Sequence, residues 1–284
     1  MIPWIYNKFI KSSKRTRDSL TISFTILVGL SSILAIAGAS LEKLTSFCIW
    51  QNQLILPPIY IISCVIVYNV IGSIFKKSIQ LSIRKMTITI KTGNIFKEPG
   101  LRVIGCDRNF TTIVDDVVIS KSSLHGQLVE NHGNADDINA AVAKAAQELN
   151  LKQNTEKKYK FPLGSIVRYH SNQDNHDYLL LAMMELNKKY EAHTTTREFE
   201  QTLTQMWKEI DRVYARKDIV LPLLGSGISR FDDGVKDDFE LLRSMLYTLN
   251  SSGVNLKSSN ISIVIYKDIE NMPLYELKDI FHTM

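Results

Sequence analysis

The sequence contains little cysteine, and no pattern gives its cysteines a joint role. There are three, Cys48, Cys64 and Cys106, and they are widely spaced. An odd number without a recognised spacing fits neither a disulfide framework nor a zinc site, so we expect a reducing environment and no metal centre. Internal repeats are also lacking, which argues against a repeat array.

Basic residues are in slight excess, but they do not form a nucleic-acid-binding pattern. The formal net charge is +5. Lysine and arginine are not concentrated on any predicted helix face with interleaved aromatic residues, which argues against nucleic acid as a partner. Much of the excess lies at residues 8–17 and 76–85, on either side of an apolar block, and this placement is typical of a membrane surface.

Charge is almost missing from residues 20–75, although the chain as a whole has an ordinary 22% of charged residues. The uncharged runs 20–41 and 54–75 each exceed, at about 1.5 Å per residue, the roughly 30 Å hydrocarbon core of a bilayer. We therefore predict a basic N-terminus over 1–19 and a two-helix transmembrane hairpin with its linker over 20–83. Basic residues flank both outer ends, so both termini are expected in the cytoplasm. The alternatives are a cleaved signal peptide, which the length of both runs disfavours, and a buried hairpin of a soluble protein.

From residue 84 onward, short β-branched runs alternate with amphipathic helical patterns. This alternation predicts a three-layer α/β/α domain over 84–284 with a mixed central sheet. Helices are predicted at 136–150, 195–216 and 236–250. Strands are predicted at 86–91, 101–105, 115–120, 164–169, 177–184, 218–224 and 261–266.

The strand predicted at 218–224 runs directly into Gly225-Ser226-Gly227. A glycine-rich turn at the carboxyl edge of such a sheet is a usual ligand position, because glycine lets a ligand approach the backbone and successive N–H groups bind anions. The predicted diphosphate donors are Gly225, Ser226, Gly227, Ile228 and Ser229. A plain turn uses the same residue types. Arg230 is either a phosphate contact or a solvated arginine, and Phe231 either stacks on a base or packs in the core.

Three motifs together resemble the macro domain, a fold that binds ADP-ribose. Residues 223–228, Leu-Leu-Gly-Ser-Gly-Ile, resemble its diphosphate loop. Gly93-Asn94-Ile95 resembles the motif whose acid reads the adenine amino group, with an amide in place of the acid. The segment 118–127 resembles the third motif: Leu124 and Gly126 match, whereas Val118 and Lys121 replace its two asparagines.

The whole chain resembles the membrane effectors of type II Thoeris antiphage defence, which join two transmembrane helices to a divergent macro domain. The resemblance implies a TIR-domain protein that makes histidine-ADP-ribose from NAD as a second messenger. The effector is expected to bind this messenger without any cofactor, to rearrange as a homo-oligomer and to disrupt the bilayer. Its implied location is the bacterial inner membrane, as a multi-pass protein.

The resemblance also implies where the rest of the ligand lies. The remaining predicted ligand-binding residues are Asn94, Asp107, Asp115, Asp116, Ser122, Ser123, His125 and Gly126. A carboxylate at position 115 or 116 would complement the amine of a histidine conjugate, although the two acids equally well begin a strand or turn. His125 has two interpretations in the same way: it either contacts the ligand or is a polar residue of the loop. The other histidines, at 132, 170, 176 and 193, are predicted to be surface residues.

Two rival functions remain beside the ligand-gated effector. One is a membrane-anchored ADP-ribosyl hydrolase, which the loss of the second asparagine at Lys121 disfavours. The other is an anchored domain that binds a protein and no nucleotide. Our prediction is a sensor without enzymatic activity and without catalytic or metal-binding residues.

Overall fold

A computed structural model describes residues 14–36, 49–74, 78–155, 158–227, 230–256, 259–266 and 272–282. The chain divides into two compact units. The first contains the residues up to Lys77 and those from Pro273 onward, and the second spans Ser78–Met272. The domain limits drawn from the sequence, at 19/20 and 83/84, stay a prediction.

The first unit is helical. Its described helices are α1 (Lys14–Ile36), α2 (Ile49–Ile74) and the C-terminal helix α7 (Leu274–His282). Arg15 joins α1 to α2, because its Nε donates to the Tyr68 carbonyl at 2.8 Å and its guanidinium lies 3.7 Å from the Tyr68 ring centroid. Tyr275 joins α7 to α1 by donating its hydroxyl to Asp18 at 2.6 Å.

The predicted transmembrane hairpin is wrong. Over the residues that the structure describes, no helix is both long enough and apolar enough to cross a membrane. The predicted multi-pass location in the bacterial inner membrane is corrected by the same finding.

The second unit is built on a mixed sheet of nine described strands. Its order is β1-β2-β9-β7-β3-β5-β6-β8, and β4 pairs with β5 as well. Four consecutive pairs are parallel, β2 with β9, β9 with β7, β7 with β3 and β3 with β5, so the carboxyl ends of these five strands share one edge. The short strands β6 and β8 also pair in parallel. The strands are β1 (Ser78–Ile83), β2 (Met86–Thr92), β3 (Leu101–Asp107), β4 (Ile166–Ser171), β5 (His176–Leu186), β6 (Ala192–Thr194), β7 (Ile219–Pro222), β8 (Arg230–Phe231) and β9 (Asn260–Ile265).

Local sequence sets where the helices of this unit begin. They are α3 (Leu124–Gln127), α4 (Ala135–Glu148), α5 (Thr196–Val213) and α6 (Asp238–Ser251). Asn134 caps α4, and capping boxes begin the other two long helices, with Thr195 and Glu198 at α5 and Asp237 and Glu240 at α6. Such boxes satisfy N–H groups that have no partner in the first turn.

Helices cover the sheet on both faces, as predicted. On one face Ile138, Val142 and Ala146 of α4 pack in a buried cluster with residues such as Ile104 and Leu180. Strand neighbours alternate between faces, so Val103 and Leu179 point to the other side. The helices α5 and α6 pack together there through a buried hydrogen bond between Trp207 and Thr248. The predicted mixed α/β domain is therefore confirmed.

One predicted strand is wrong. Residues 115–120 form a turn-rich loop rather than a strand, because the Asp115 carboxylate accepts from the backbone N–H groups of Val117 and Val118. Proline inside a strand is typical of a sheet edge or a bulge, yet β7, which contains Pro222, lies between β9 and β3. Pro222 is the last residue of β7, and β3 pairs only with Ile219 and Val220, so the missing N–H lies beyond that pairing.

The Trp207–Thr248 hydrogen bond gives a test of the core. Trp207 Nε1 donates to Thr248 Oγ1 at 3.2 Å, and the indole is fully buried. We expect Thr248→Val to lower the free energy of unfolding by about 1–3 kcal/mol, because the indole N–H loses its acceptor in a dry site. Urea unfolding of the full chain, followed by tryptophan fluorescence, measures this change.

The control is Thr204→Val on α5, whose hydroxyl donates to a carbonyl of its own helix. We expect this variant to change the stability by less than about 0.5 kcal/mol. Equal losses for the two variants would show that the indole hydrogen bond adds nothing to the stability.

Candidate functional site

The Gly225 loop, residues 223–227, follows β7 at the carboxyl edge of the parallel strands. Leu223 and Leu224 are buried, whereas Ser226 and Gly227 are exposed. Gly225 has φ +87°, a conformation that side-chain-bearing residues rarely adopt. The Ser226 hydroxyl donates to the Leu223 carbonyl at 2.8 Å, so it supports the turn in this structure. A Cβ at Gly227 would meet no atom within 4 Å, so the backbone there is open to a ligand.

Phe199 connects the loop with the strand that comes after it. Its ring lies 3.3 Å from the position that a Cβ of Gly225 would take, and Leu241 of α6 lies 3.1 Å from the same point. The ring also meets Phe231 of β8 edge to face, with centroids 5.4 Å apart. Phe231 is therefore packed against α5. Ile228 and Ser229 lie outside the described residues.

Arg230 is exposed and forms an ion pair with Glu191, 2.5 Å from its guanidinium. The sequence left Arg230 open between a phosphate contact and a solvated arginine. In this structure it is an exposed arginine with a carboxylate partner, at the start of β8.

Asp107 ends β3, next to β7 in the sheet, and its carboxylate is buried. Its oxygens accept from the Asn109 N–H at 3.0 Å and from the N–H and hydroxyl of Thr111 at 2.9 and 3.1 Å. These bonds close the turn after β3. The predicted ligand contact of Asp107 would require its carboxylate to exchange some of these partners.

Asn94 follows β2 at the same edge. Its side-chain oxygen accepts from the Phe96 N–H at 2.9 Å and caps the 3-10 turn Ile95–Lys97. The preceding Gly93 donates its N–H to the carbonyl of Ile265, the last residue of β9, at 3.0 Å. Asn94, the Gly225 loop and Asp107 thus follow parallel strands of one sheet, and the topology brings them to one edge.

The acid pair, Asp115 and Asp116, supports the loop between β3 and α3. Both side chains are exposed. The Val118 and Val117 N–H groups lower the pKa of Asp115 by hydrogen bonding to its carboxylate. Asp116 has φ +63° and accepts from the Lys121 N–H at 2.8 Å. Both carboxylates therefore hold turns while remaining open to solvent.

The remaining predicted residues lie at the start of α3. Ser123 caps the helix by accepting from the Gly126 N–H at 3.0 Å, and the exposed Ser122 shares a hydrogen bond with the Ser120 hydroxyl at 2.9 Å. A Cβ at Gly126 would lie only 2.2 Å from the Ser120 carbonyl oxygen. No side chain fits at Gly126 unless the backbone at Ser120 moves.

His125 differs from the surface histidines because it is buried. Only 6% of it is exposed, and Nε2 has no hydrogen-bond partner. Burial lowers the pKa of His125 to about 4, although the nearby Asp107 charge acts in the opposite direction. The imidazole is therefore neutral at pH 7, and His125 belongs to the packed support of this edge.

The four histidines predicted to be simple surface residues each pair with an acid. His132 and His176 lie 3.2 and 3.8 Å from Asp174, and His170 lies 2.9 Å from Asp177. His193 lies 2.7 Å from Asp232. Over the described residues, no group of three or more histidine, cysteine or acidic side chains has the geometry of a metal site.

Sequence reasoning missed the partners of His193 because they are distant in the chain. His193 and Asp232 are 39 positions apart and meet only after β6 pairs with β8. Both of these strands are too short to give a periodic signal, so no local pattern marks them.

Known proteins resemble this chain over most of its length. A family model described as Thoeris protein ThsA, macro domain, matches residues 88–266. The Thoeris protein ThsA of Bacillus amyloliquefaciens (strain Y2) is 28% identical over 288 residues, which cover 97% of this chain and 93% of that protein.

Solved macrodomains share the fold of the second unit. A mutant of the Oceanobacillus iheyensis macrodomain superposes with a TM-score of 0.52 at 14% identity and covers 73% of this chain and 99% of that one. Another mutant of that macrodomain, solved with ADPR, gives 0.50 at 13% identity over 72% of this chain and 99% of that one. At these identities the likeness establishes a macrodomain fold.

The burial of His125 predicts a pH-dependent stability. Its pKa in the folded protein is about 4, below the ordinary 6.5, so protonation favours the unfolded state. The free energy of unfolding should therefore fall as the pH drops from about 6.5 to about 4, by up to about 3 kcal/mol from this group. Denaturant unfolding of the full chain at several pH values, beside His125→Asn, measures that part as the difference between the two curves. Parallel curves over this interval would contradict the assignment.

Proposed function

Because this chain belongs to the family described as Thoeris protein ThsA, macro domain, we propose that it is a ligand-sensing effector of antiphage defence. Its second unit binds an ADP-ribose-derived messenger at the carboxyl edge of the parallel strands. The observation that carries this proposal is the Gly225 loop. The loop is anchored by buried leucines and the Phe199 ring, and its backbone is open at Gly227.

The chemistry of the loop suits a diphosphate. Backbone N–H groups of a glycine-rich turn present partial positive charge to an anion, and they bind it best when no side chain prevents close approach. Gly227 provides that open approach, and a related macrodomain solved with ADPR supports the ligand class. Arg230 adds a positive charge beside this loop once it exchanges Glu191 for a phosphate.

The messenger is the histidine conjugate of ADP-ribose, made from NAD by a TIR-domain partner. A histidine group carries an amine and an imidazole, and both pair well with carboxylates. Asp115 and Asp116 are exposed, and the lowered pKa of Asp115 keeps that carboxylate charged at neutral pH. These acids distinguish the conjugate from ADP-ribose itself.

The protein binds the messenger rather than hydrolysing it. Lys121 stands where the hydrolytic macro domains carry their second asparagine, and its side chain is exposed. The binding signal is passed on through association. The ligand stabilises one arrangement of a homo-oligomer over the resting one, and it shifts the equilibrium by its difference in affinity for the two.

Replacing Gly227 tests the loop directly. We expect Gly227→Val to fold normally, since a Cβ there has no described atom beyond its chain neighbours within 4 Å, but to block the approach of the diphosphate. Binding of the histidine conjugate to the full chain should weaken at least about tenfold, or about 1.4 kcal/mol, in calorimetric titration. The titration also includes ADP-ribose as a comparator and follows any consumption of either compound.

The matched control is Gly29→Val in the first unit, where a Cβ also meets no atom within 4 Å. This variant should bind like the wild type. Unchanged binding by Gly227→Val would remove the loop from the site, and turnover of either ligand would place the hydrolase ahead of the sensor.

A further inference from the structure

A cluster of four charged side chains lies between β6 and β8. This His193 cluster consists of Glu191, His193, Arg230 and Asp232. His193 Nδ1 lies 2.7 Å from Asp232 Oδ1, and Nε2 lies 3.5 Å from Glu191 Oε2. The other oxygen of Glu191 forms the ion pair with Arg230. Two carboxylates thus flank one imidazole, and one of them also holds the arginine that begins β8.

The cluster reinforces a strand pairing that is very short. Among the described residues, two pairs connect β6 with β8, His193 with Arg230 and Thr194 with Phe231. The Asp232 N–H adds one bond to the Thr194 carbonyl at 3.0 Å. So small a ladder provides little stability alone, and the position of β8 therefore depends strongly on the side chains across the pair.

The same segment is tied to the start of α5. The Asp233 carboxylate accepts from the Thr196 N–H at 2.9 Å. Phe199, one turn into α5, contacts both Phe231 and the backbone position of Gly225. The Phe199 ring therefore contacts both the Gly225 loop and the strand β8 that follows it.

The position of β8 limits where the open end of the loop lies. Gly227 precedes Arg230 by three residues, and an extended chain spans about 3.6 Å per residue, so the two Cα atoms are at most about 11 Å apart. At its other end the loop is fixed by the buried Leu224. Holding β8 against β6 thus restricts the conformations that residues 225–227 adopt.

We propose that the His193 cluster is a proton-dependent positioning site, which holds the Gly225 loop in its ligand-binding conformation while His193 is protonated. This inference rests on the proposed function, because it assigns regulation to the same loop. Glu191, His193 and Asp232 act through β8 and do not contact the ligand.

The charges around His193 set the direction of the effect. Asp232 faces it from the segment after β8 and Glu191 from the segment before β6, while Arg230 neutralises part of the Glu191 charge and Asp233 lies beside Asp232 in sequence. The hydrogen bond with Asp232 raises the pKa of His193. A raised value means that the pairing is complete below the ordinary histidine range and is lost as the pH rises through the value in the folded protein. The loop should therefore be held more tightly at low pH than at high pH.

Amide hydrogen exchange of the unliganded full chain tests the structural part. The protection factor of the Asp232 N–H is compared between the wild type and His193→Gln at each pH between about 5.5 and about 9. At the lowest pH it should be several-fold greater in the wild type, and at the highest pH the two proteins should exchange similarly. Asp232→Asn should give the same result without altering the histidine. The control is His170→Gln, which breaks another histidine–aspartate pair, between His170 of β4 and Asp177 of β5, and should leave the exchange of the Asp232 N–H unchanged.

Calorimetric titration with ADP-ribose over the same range tests the positioning part. Wild-type affinity should fall several-fold as the pH rises, whereas His193→Gln should bind weakly at every pH, and His170→Gln should follow the wild type. Exchange of the Asp232 N–H that does not respond to His193→Gln would overturn the inference. So would an affinity that stays constant with pH while the exchange changes. The expected exchange result together with no binding of either ADP-ribose or its histidine conjugate at any pH would overturn the proposed function instead, and with it the ligand-positioning role.

Discussion

The Phe199 ring against the backbone of Gly225 is the contact on which the geometry of this edge depends. A Cβ at residue 225 would lie 3.3 Å from the ring, which is tighter than ordinary contact, and the left-handed backbone, which favours glycine, turns the chain out of β7 at that point. The same ring packs on Phe231, so the first turn of α5 fixes both the exit from one strand and the position of the next. The capping box of Thr195 and Glu198 places that turn. Helix start, loop and strand are therefore one cooperative element.

The loops at this edge are supported mainly by their own polar groups. Asp107, Asp115, Asp116 and Ser123 each accept backbone N–H groups in their own turn, so these groups are satisfied without any ligand. A site arranged in this way before binding loses less conformational entropy when a ligand arrives. His125 adds neutral, buried packing beneath the loops.

The features that the sequence made predictable are those with a local physical cause. The apolar stripe of α5, the buried run of β7 and the glycines that follow it appear where their patterns indicate. The Thoeris resemblance is confirmed at the level of the family, but the type II membrane form is not. The transmembrane prediction rested on uncharged length counted along the sequence, and no described helix is both long enough and apolar enough to cross a membrane. Residues 115–120 look like a strand by composition, but a side-chain carboxylate takes the N–H groups that a ladder would need.

No local sequence pattern predicts the features that form where segments distant in the sequence come together. His193, Glu191 and Asp232 come together only through the pairing of two very short strands, and Arg102 is buried beside Tyr178, which is 76 positions away. Nothing near these residues in the sequence distinguishes them from solvated charges.

Gly126 shows how chain packing alone can account for a glycine in a motif. The first turn of α3 passes so close to the Ser120 carbonyl that even a methyl group would overlap it, while the neighbouring Lys121 side chain is exposed to solvent. In a saturation screen for folding, position 126 should therefore tolerate glycine alone, and position 121 should accept most residues. A glycine at position 126 is therefore explained by the close approach of two backbone segments. Evidence for ligand binding has to come from positions where the backbone allows other residues.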